Sequence, residues 1–327
     1  MLSTRFTDLV GCTVPIQQAG MGDLATPRLA AAVADAGGLG MVSVYQGLSP
    51  ARIADVLDRL RQQTAGCIGA NFIMLFVDPD QAHECVAAAA AKVRVVDFFY
   101  TAPDIALVEI VHHHGAMACW QVGSKEEAEA AVAAGCDLIV AQGIEAGGHV
   151  RGQIGLLALL SEVLDTVDVP VLAAGGIGTG RAMAAALAAG ADGVRVGTRF
   201  VAAEEAEAHP TYVNALIEAR PQDTVYTEAF RVGWPINAPH RLLRSCLQNA
   251  EAFQGEVVGE GMDYYTGQRY SIGRFETDAV HKGYMGAIEA MSLWAGESVG
   301  GVKKIESAAD IVHDMSGEAE RLLRRWR

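Results

Sequence analysis

The chain has few aromatic residues, no paired-cysteine motif, no excess of basic charge and no long apolar run. Phe, Trp and Tyr make up 6% of its 327 residues, and the abundant alanine favours helices packed closely on a sheet through small side chains. Its six cysteines (Cys12, Cys67, Cys85, Cys119, Cys136 and Cys246) are scattered. No CxxC pair or zinc-type spacing occurs, so no metal site is expected. Cys119 and Cys136 sit in apolar surroundings and read as small core residues. Acidic residues outnumber basic ones, 39 to 25, for a net charge of −14. A nucleic-acid or anionic-membrane partner would require a basic face, so neither is expected. The plain reading of that charge is solubility. No stretch approaches the roughly 18 apolar residues of a membrane span. Arg5 and Asp8 interrupt any apolar run at the N-terminus, which argues against a secretory leader. The expectation is a soluble protein of a reducing, cytoplasmic compartment.

Alternation of secondary structure is the dominant signal in what remains. Half of the chain is apolar, 51%, and 327 residues suffice for one large α/β domain or two ordinary ones. Short apolar or β-branched runs alternate with alanine-rich helical patterns through the first 200 or so residues. The runs are VPIQQAG from Val14, GLGMVSV from Gly38, IGANFIM from Ile68 and VRVVDFF from Val93. AMACWQV from Ala116, LIVAQG from Leu138, VPVLAAGG from Val169 and GVRVGTRF from Gly193 follow. Between them lie helices such as SKEEAEAAVAAG, which opens on Ser124 as N-cap with early carboxylates and closes on Gly135. Eight strands about 25 residues apart, each followed by a helix, predict parallel pairing and a closed (β/α)8 TIM barrel. After Phe200 the rhythm breaks. Residues 204–250 read as helical and 255–274 as glycine- and tyrosine-rich. The expected organisation is a barrel over residues 1–215, a smaller mainly helical cap inserted after strand eight over 216–285, and a helical segment, 286–327, packing back on the barrel.

Active sites of such barrels are built from loops at the C-terminal ends of the strands. After strand seven comes AAGGIGTGRA and at the end of strand eight VGTRF, the usual phosphate-binding places of this fold. Glycines there let backbone N–H groups approach a phosphate, and Thr198 adds a hydroxyl. Tight βα turns also use glycine, so either segment alone says little; the pair in these two positions favours phosphate. QQAGMG after strand one offers small residues against which a flat ring can lie. Asn71 and Gln121, near the ends of strands three and five, each offer an amide that both donates and accepts, as the edge of a flavin requires. Each could instead be a satisfied core amide. Together with the phosphate signal they suggest FMN, the rival being a phosphorylated metabolite with no flavin. Strand six runs into EAGGHVRG, which puts His149 on a glycine-rich loop at the same face. An imidazole near its ordinary pKa of about 6.5 can exchange a proton at neutral pH, whereas a solvated loop histidine would be inert.

Taken together, PIQQAGMG, GANF, EAGGHVRG, VLAAGGIGTGRAMAAALAAGADGVRVGTRF and His209–Pro210 resemble the nitronate monooxygenase family, formerly the 2-nitropropane dioxygenases. That superfamily also includes FMN-dependent enoyl-ACP reductases and NADH:quinone reductases. The resemblance runs over roughly residues 1–215. It implies an FMN-binding TIM barrel with a smaller helical domain over the pocket, acting on an alkyl nitronate with O2. Carried over by motif, the flavin would be held by Ala19, Gly20, Met21, Asn71, Gln121, Gly147, Gly175, Gly176, Gly197 and Thr198. His149 matches the family's histidine near the flavin, a base or polar anchor for substrate. Gln121 stands where relatives carry lysine, which removes a positive charge and counts against a quinone-type activity. The alternatives are an NAD(P)H-dependent reductase of an enoyl thioester or a quinone, with NAD(P)H docking transiently, and a non-catalytic flavin-binding protein. A homodimer is left open.

Other signals are weaker. His112, His113 and His114 are consecutive on a helix, point about 100° apart and cannot converge on one ion. Trp234, Tyr264, Tyr265 and Tyr270 suit a pocket wall and a surface loop equally. The glycines from Gly176 to Gly180 make no dinucleotide fingerprint, since the acidic partner and the Rossmann context are missing.

Overall fold

Caps written into the sequence set the alternation. Ser124 accepts a hydrogen bond from Glu127 N to open the helix Lys125–Ala133, and Gly135 ends that turn at φ 96°. Thr26 and Pro27 open Pro27–Asp35 in the same way, and Thr179 opens Gly180–Ala188. The computed structural model describes residues 2–44, 48–234 and 238–326. Its strands begin with β1 (Ile16–Gln18), β2 (Gly40–Val44), β3 (Ile68–Ile73), β4 (Val95–Phe99), β5 (Met117–Val122) and β6 (Leu138–Gln142). A two-residue strand, β7 (Gly148–His149), stands apart, and β8 (Val171–Ala174) and β9 (Gly193–Val196) complete the main sheet. Its order is β1-β9-β8-β6-β5-β4-β3-β2, with every pairing parallel. Leu39, just before β2, closes the ring. Its N–H donates to Ile16 O at 2.9 Å and its carbonyl accepts from Gln18 N at 3.0 Å. This is the expected (β/α)8 barrel.

Each strand sends alternate side chains to opposite faces, and here the two faces differ in kind. Outward residues such as Phe72, Phe98, Trp120, Ile139 and Val194 join the main apolar core under the helices. Trp120 is 1% exposed and stacks on Phe98 at 4.7 Å between ring centroids. Inward residues form two layers. The lower one is apolar, with Met41, Val95, Cys119, Leu138, Val140 and Leu172 packed on Phe6 and Val10 of the N-terminal helix Arg5–Val10. The upper one is polar: Gln17, Asn71, Asp97, Gln121, Gln142 and Arg195 are all buried. The barrel therefore has a greasy floor and a polar top, where the strands end.

A second apolar core draws on Leu24 and on residues between Val201 and Val302, with Tyr212, Phe230, Leu242, Met291 and Leu293 among its buried members. The segment expected to be mainly helical is mixed. Helices Pro210–Glu218 and Arg244–Ala252 share it with β10 (Thr224–Thr227), β11 (His240–Leu243), β12 (Val257–Met262), β13 (Arg269–Gly273) and β14 (Met285–Gly286). These make two small sheets, β10-β11-β7 and β13-β12-β14. The physical reason is local. Thr-Val-Tyr-Thr of β10 is β-branched and aromatic, a strand composition, and His-Arg-Leu-Leu pairs with it antiparallel. The helix Ala308–Leu323 returns to the barrel, burying Ile311, Val312 and Met315 in the main core. No described helix is long and apolar enough to cross a membrane.

Candidate active site

A cavity of about 660 Å³ opens at the polar end of the barrel, between the strand ends and the second core. Every cofactor residue expected from the sequence, and His149, lies on its wall. Ala19, Gly20 and Met21 follow β1, Asn71 is in β3, Gln121 in β5, and Gly147 and His149 sit at β7. Gly175 and Gly176 follow β8, and Gly197 and Thr198 follow β9. Small residues are required at the β1 end: a Cβ on Gly20 would stand 2.2 Å from Asn71 Oδ1. Gly175 and Gly176 turn the chain after β8 at φ 111° and 68°, angles that favour glycine. Gly197 breaks β9 into the short helix Thr198–Val201, so the strand ends at Val196 and not at Phe200 as expected. Thr198 Oγ1 accepts from Gly296 N at 3.0 Å, which leaves its own proton to donate.

His149 is not on a free loop. It pairs antiparallel with His240 across β7 and β11 and is 9% exposed. Its ring lies flat on Trp234, with centroids 3.4 Å apart and planes at 11°. Tyr100, Trp294 and His240 surround it at 6.1, 5.2 and 5.3 Å. Tyr100 reaches it from a left-handed backbone turn, φ 66°, just after β4, a strained conformation of a kind that clusters at functional sites. The His149 Nε2 atom is buried with no hydrogen-bond partner among the described residues. Burial, and then the neighbouring His240, push its pKa well below 6.5, because an apolar wall disfavours the charged ring. His240 is also lowered by burial. Its Nδ1 meets Ala238 O at 3.0 Å, and its Nε2 accepts from Phe230 N at 3.2 Å. That arrangement fixes the neutral tautomer with the proton on Nδ1. His149 thus lines the cavity as an uncharged imidazole with a free ring nitrogen, backed by the buried, uncharged His240.

Comparison with known proteins fits this geometry. A sequence model of the nitronate monooxygenase family matches residues 3–91 and 78–318. The chain belongs to the nitronate monooxygenase family. Membership makes it an oxidoreductase. It is 34% identical over 259 residues, 79% of this chain and 70% of the relative, to a 5-hydroxy-7a-methyl-1-oxo-octahydro-1H-indene-4-carboxyl-CoA dehydrogenase of Rhodococcus jostii. FabK of Thermotoga maritima matches at TM-score 0.82 and 31% identity, over 100% of this chain and 99% of that one. The nitroalkane oxidase of Streptomyces ansochromogenes matches at TM-score 0.78 and 27% identity, over 99% and 100%.

Within this family site, several wall residues went unmarked in the sequence. Gln142 donates through Nε2 to His149 O at 3.0 Å and leaves a buried Oε1 without a partner among the described residues. Arg195, buried in β9, contacts Gln17, Gln121 and Asp97. Strand alternation could have found both, since each points inward beside residues that were marked. Asp278 also lines the cavity. Burial, then Glu276 and Asp23, raise its pKa from 3.8 to about 7. Trp234 and Tyr270 prove to be wall residues, while Tyr264 and Tyr265 are not among the residues lining the cavity. His112 at its helix end bonds Asp137 at 2.9 Å, and no cluster among the described residues could hold a metal ion.

Proposed function

We propose that this chain binds FMN without a covalent link and oxidises alkyl nitronates with O2. The residues present suit the cofactor. Ala19, Gly20, Met21, Asn71, Gln121 and Gly147 would hold the ring, with amides able to donate and accept along its edge. Gly175, Gly176, Gly197 and Thr198 would hold the phosphate through backbone N–H groups and the free hydroxyl proton. FMN, when bound, supplies the two-electron acceptance that no side chain provides. The remaining work falls to the protein.

The observation that carries the substrate reading is His149: a neutral, buried imidazole whose Nε2 has no partner among the described residues. A ring so hard to protonate is a weak base, so it is poorly suited to pulling the α-proton from a neutral nitroalkane. It is well suited to donate a hydrogen bond to a nitronate oxygen, since a nitronate arrives already ionised. Trp234, Trp294 and Phe76 line the same cavity and exclude water, which strengthens that bond. Anaerobic mixing tests the reading. Propyl-1-nitronate should bleach the flavin while NAD(P)H leaves it oxidised, and a colourless protein that cannot be reconstituted with FMN overturns the flavin itself.

One observation favours a second reading. The Rhodococcus relative carries the name of a carboxyl-CoA dehydrogenase, so an NAD(P)H-linked reaction on a thioester is the runner-up. Reduction of the flavin by NAD(P)H and not by nitronate would select it. Reduction by neither reagent would leave a non-catalytic flavin-binding protein.

A further inference from the structure

Arg195 is the one Lys or Arg among the described residues lining the cavity. The sequence GVRV turns Val194 and Val196 outward into the main core and Arg195 inward, where it is 5% exposed. Three strands brace the guanidinium. Its Nε donates to Gln17 Oε1 of β1 at 3.1 Å, Nη1 to Gln121 Oε1 of β5, and Nη2 to Asp97 Oδ1 of β4 at 2.6 Å. A guanidinium has five N–H donors, so two remain for a ligand. The other Asp97 oxygen accepts from Asn71 Nδ2 at 2.5 Å. Asp97 is 0% exposed and is not among the residues lining the cavity, whereas Arg195, Asn71 and Gln121 all are. A ligand in the cavity therefore meets the guanidinium and two amides, with the compensating carboxylate behind them.

We propose that Arg195 is a positioning residue for the electron-rich pyrimidine edge of the flavin. It favours the negative charge that collects there when electrons are accepted, and so sets how readily the cofactor is reduced. This rests on the FMN reading. The attraction is large enough to matter, because charges brought together in a buried, weakly screened site interact far more strongly than in water. Asp97 offsets part of that, which makes the cofactor's affinity for electrons a balance between the two side chains.

The test uses the FMN-loaded protein and sulfite as probe, because sulfite adds reversibly to oxidised flavin and leaves negative charge on the ring. Sulfite affinity and midpoint potential should both fall in R195Q, the affinity about tenfold, equivalent to about 30 mV for a two-electron couple. R195K, which keeps the charge, should recover most of the loss. D97N should move both quantities the other way, since it removes the offsetting carboxylate. Sulfite affinity within twofold of wild type in a folded, yellow R195Q would overturn the assignment. So would R195Q and D97N shifting in the same direction, the mark of a merely structural network. If R195Q does not fold, the opposite shift in D97N decides. A wild-type protein that takes up no FMN instead fails the underlying reading, and with it this one.

Discussion

The His149 Nε2 atom is the sharpest handle on mechanism, because stacking and hydrogen bonding can be separated there. Phenylalanine keeps a flat ring to lie on Trp234, now 3.4 Å from the imidazole, and removes the nitrogen. Alanine removes both. A hydrogen bond to a charged group contributes about 1.5–3 kcal/mol, and each 1.36 kcal/mol off a barrel-held transition state is tenfold in rate. His149→Phe should therefore slow anaerobic flavin bleaching by a nitronate about 10- to 150-fold, with FMN still bound. His149→Ala should do the same and also lower thermal stability, since Trp234 loses the ring stacked flat on it. The depressed pKa adds a pH signature. The ring stays neutral through the physiological range, so the wild-type rate on preformed nitronate should show no inflection near 6.5. Stopped-flow traces across pH 6–9 read both effects. Unchanged bleaching in His149→Phe would refute the hydrogen-bond role, and a clear inflection near 6.5 that vanishes with the histidine would restore a proton-transfer role.

Asp278 should make stability fall with pH. Its folded pKa of about 7 lies above the ordinary 3.8, so the folded state holds an extra proton between those values and loses that advantage as pH rises through 7. The groups that raise it after burial are Glu276 and Asp23, and Tyr284 and Tyr270 also interact with it. Asp278→Asn should shift the urea midpoint upward at pH 8, by about 2–4 kcal/mol of stability, and little at pH 4; equal midpoints at pH 8 would contradict the raised pKa. Gly20→Ala should weaken FMN binding at least tenfold, because the new methyl meets Asn71 at 2.2 Å and displaces that amide, at a packing cost of about 1–3 kcal/mol. Equilibrium titration of the apoprotein with FMN checks it, and an unchanged Kd would count against Asn71 as a cofactor ligand.

The barrel was legible because its signals are local. Eight runs, a cap such as Ser124 and a stop such as Gly135 each depend on a few adjacent residues, and all eight strands lie where the runs placed them, each trimmed at one or both ends. The glycines after β8 and β9 were equally readable. What stayed hidden depends on partners distant in sequence. His149 reads as a loop residue among glycines, and only its pairing with His240 makes it a buried strand position. β10 carries a local strand composition, but the helical patterns on either side of it dominate the sequence signal, and its partner β11 lies across the connection. Arg195 differs: it lies inside a strand and not at its end, and only the inward alternation of Gln17, Asp97, Gln121 and Arg195, a period of two, marks it.

That polar layer also bears on the choice between substrates. The described cavity wall carries one cation and four acids. The guanidinium sits at the barrel end, backed by Asp97, while Asp23, Asp263, Glu276 and Asp278 line other parts of the wall. Three of these four come from one segment, 263–278, in the region that forms the second core. A small nitronate brings a single negative charge to this wall. A thioester whose carrier bears several phosphates would add several negative charges to a cavity lined by these acids, and like charges brought together cost several kcal/mol unless screened. No Lys or Arg other than Arg195 is among the described residues lining the cavity to offset that repulsion. An acidic wall thus opposes a polyanionic ligand more than a singly charged one, which supports the proposed nitronate reading over the thioester.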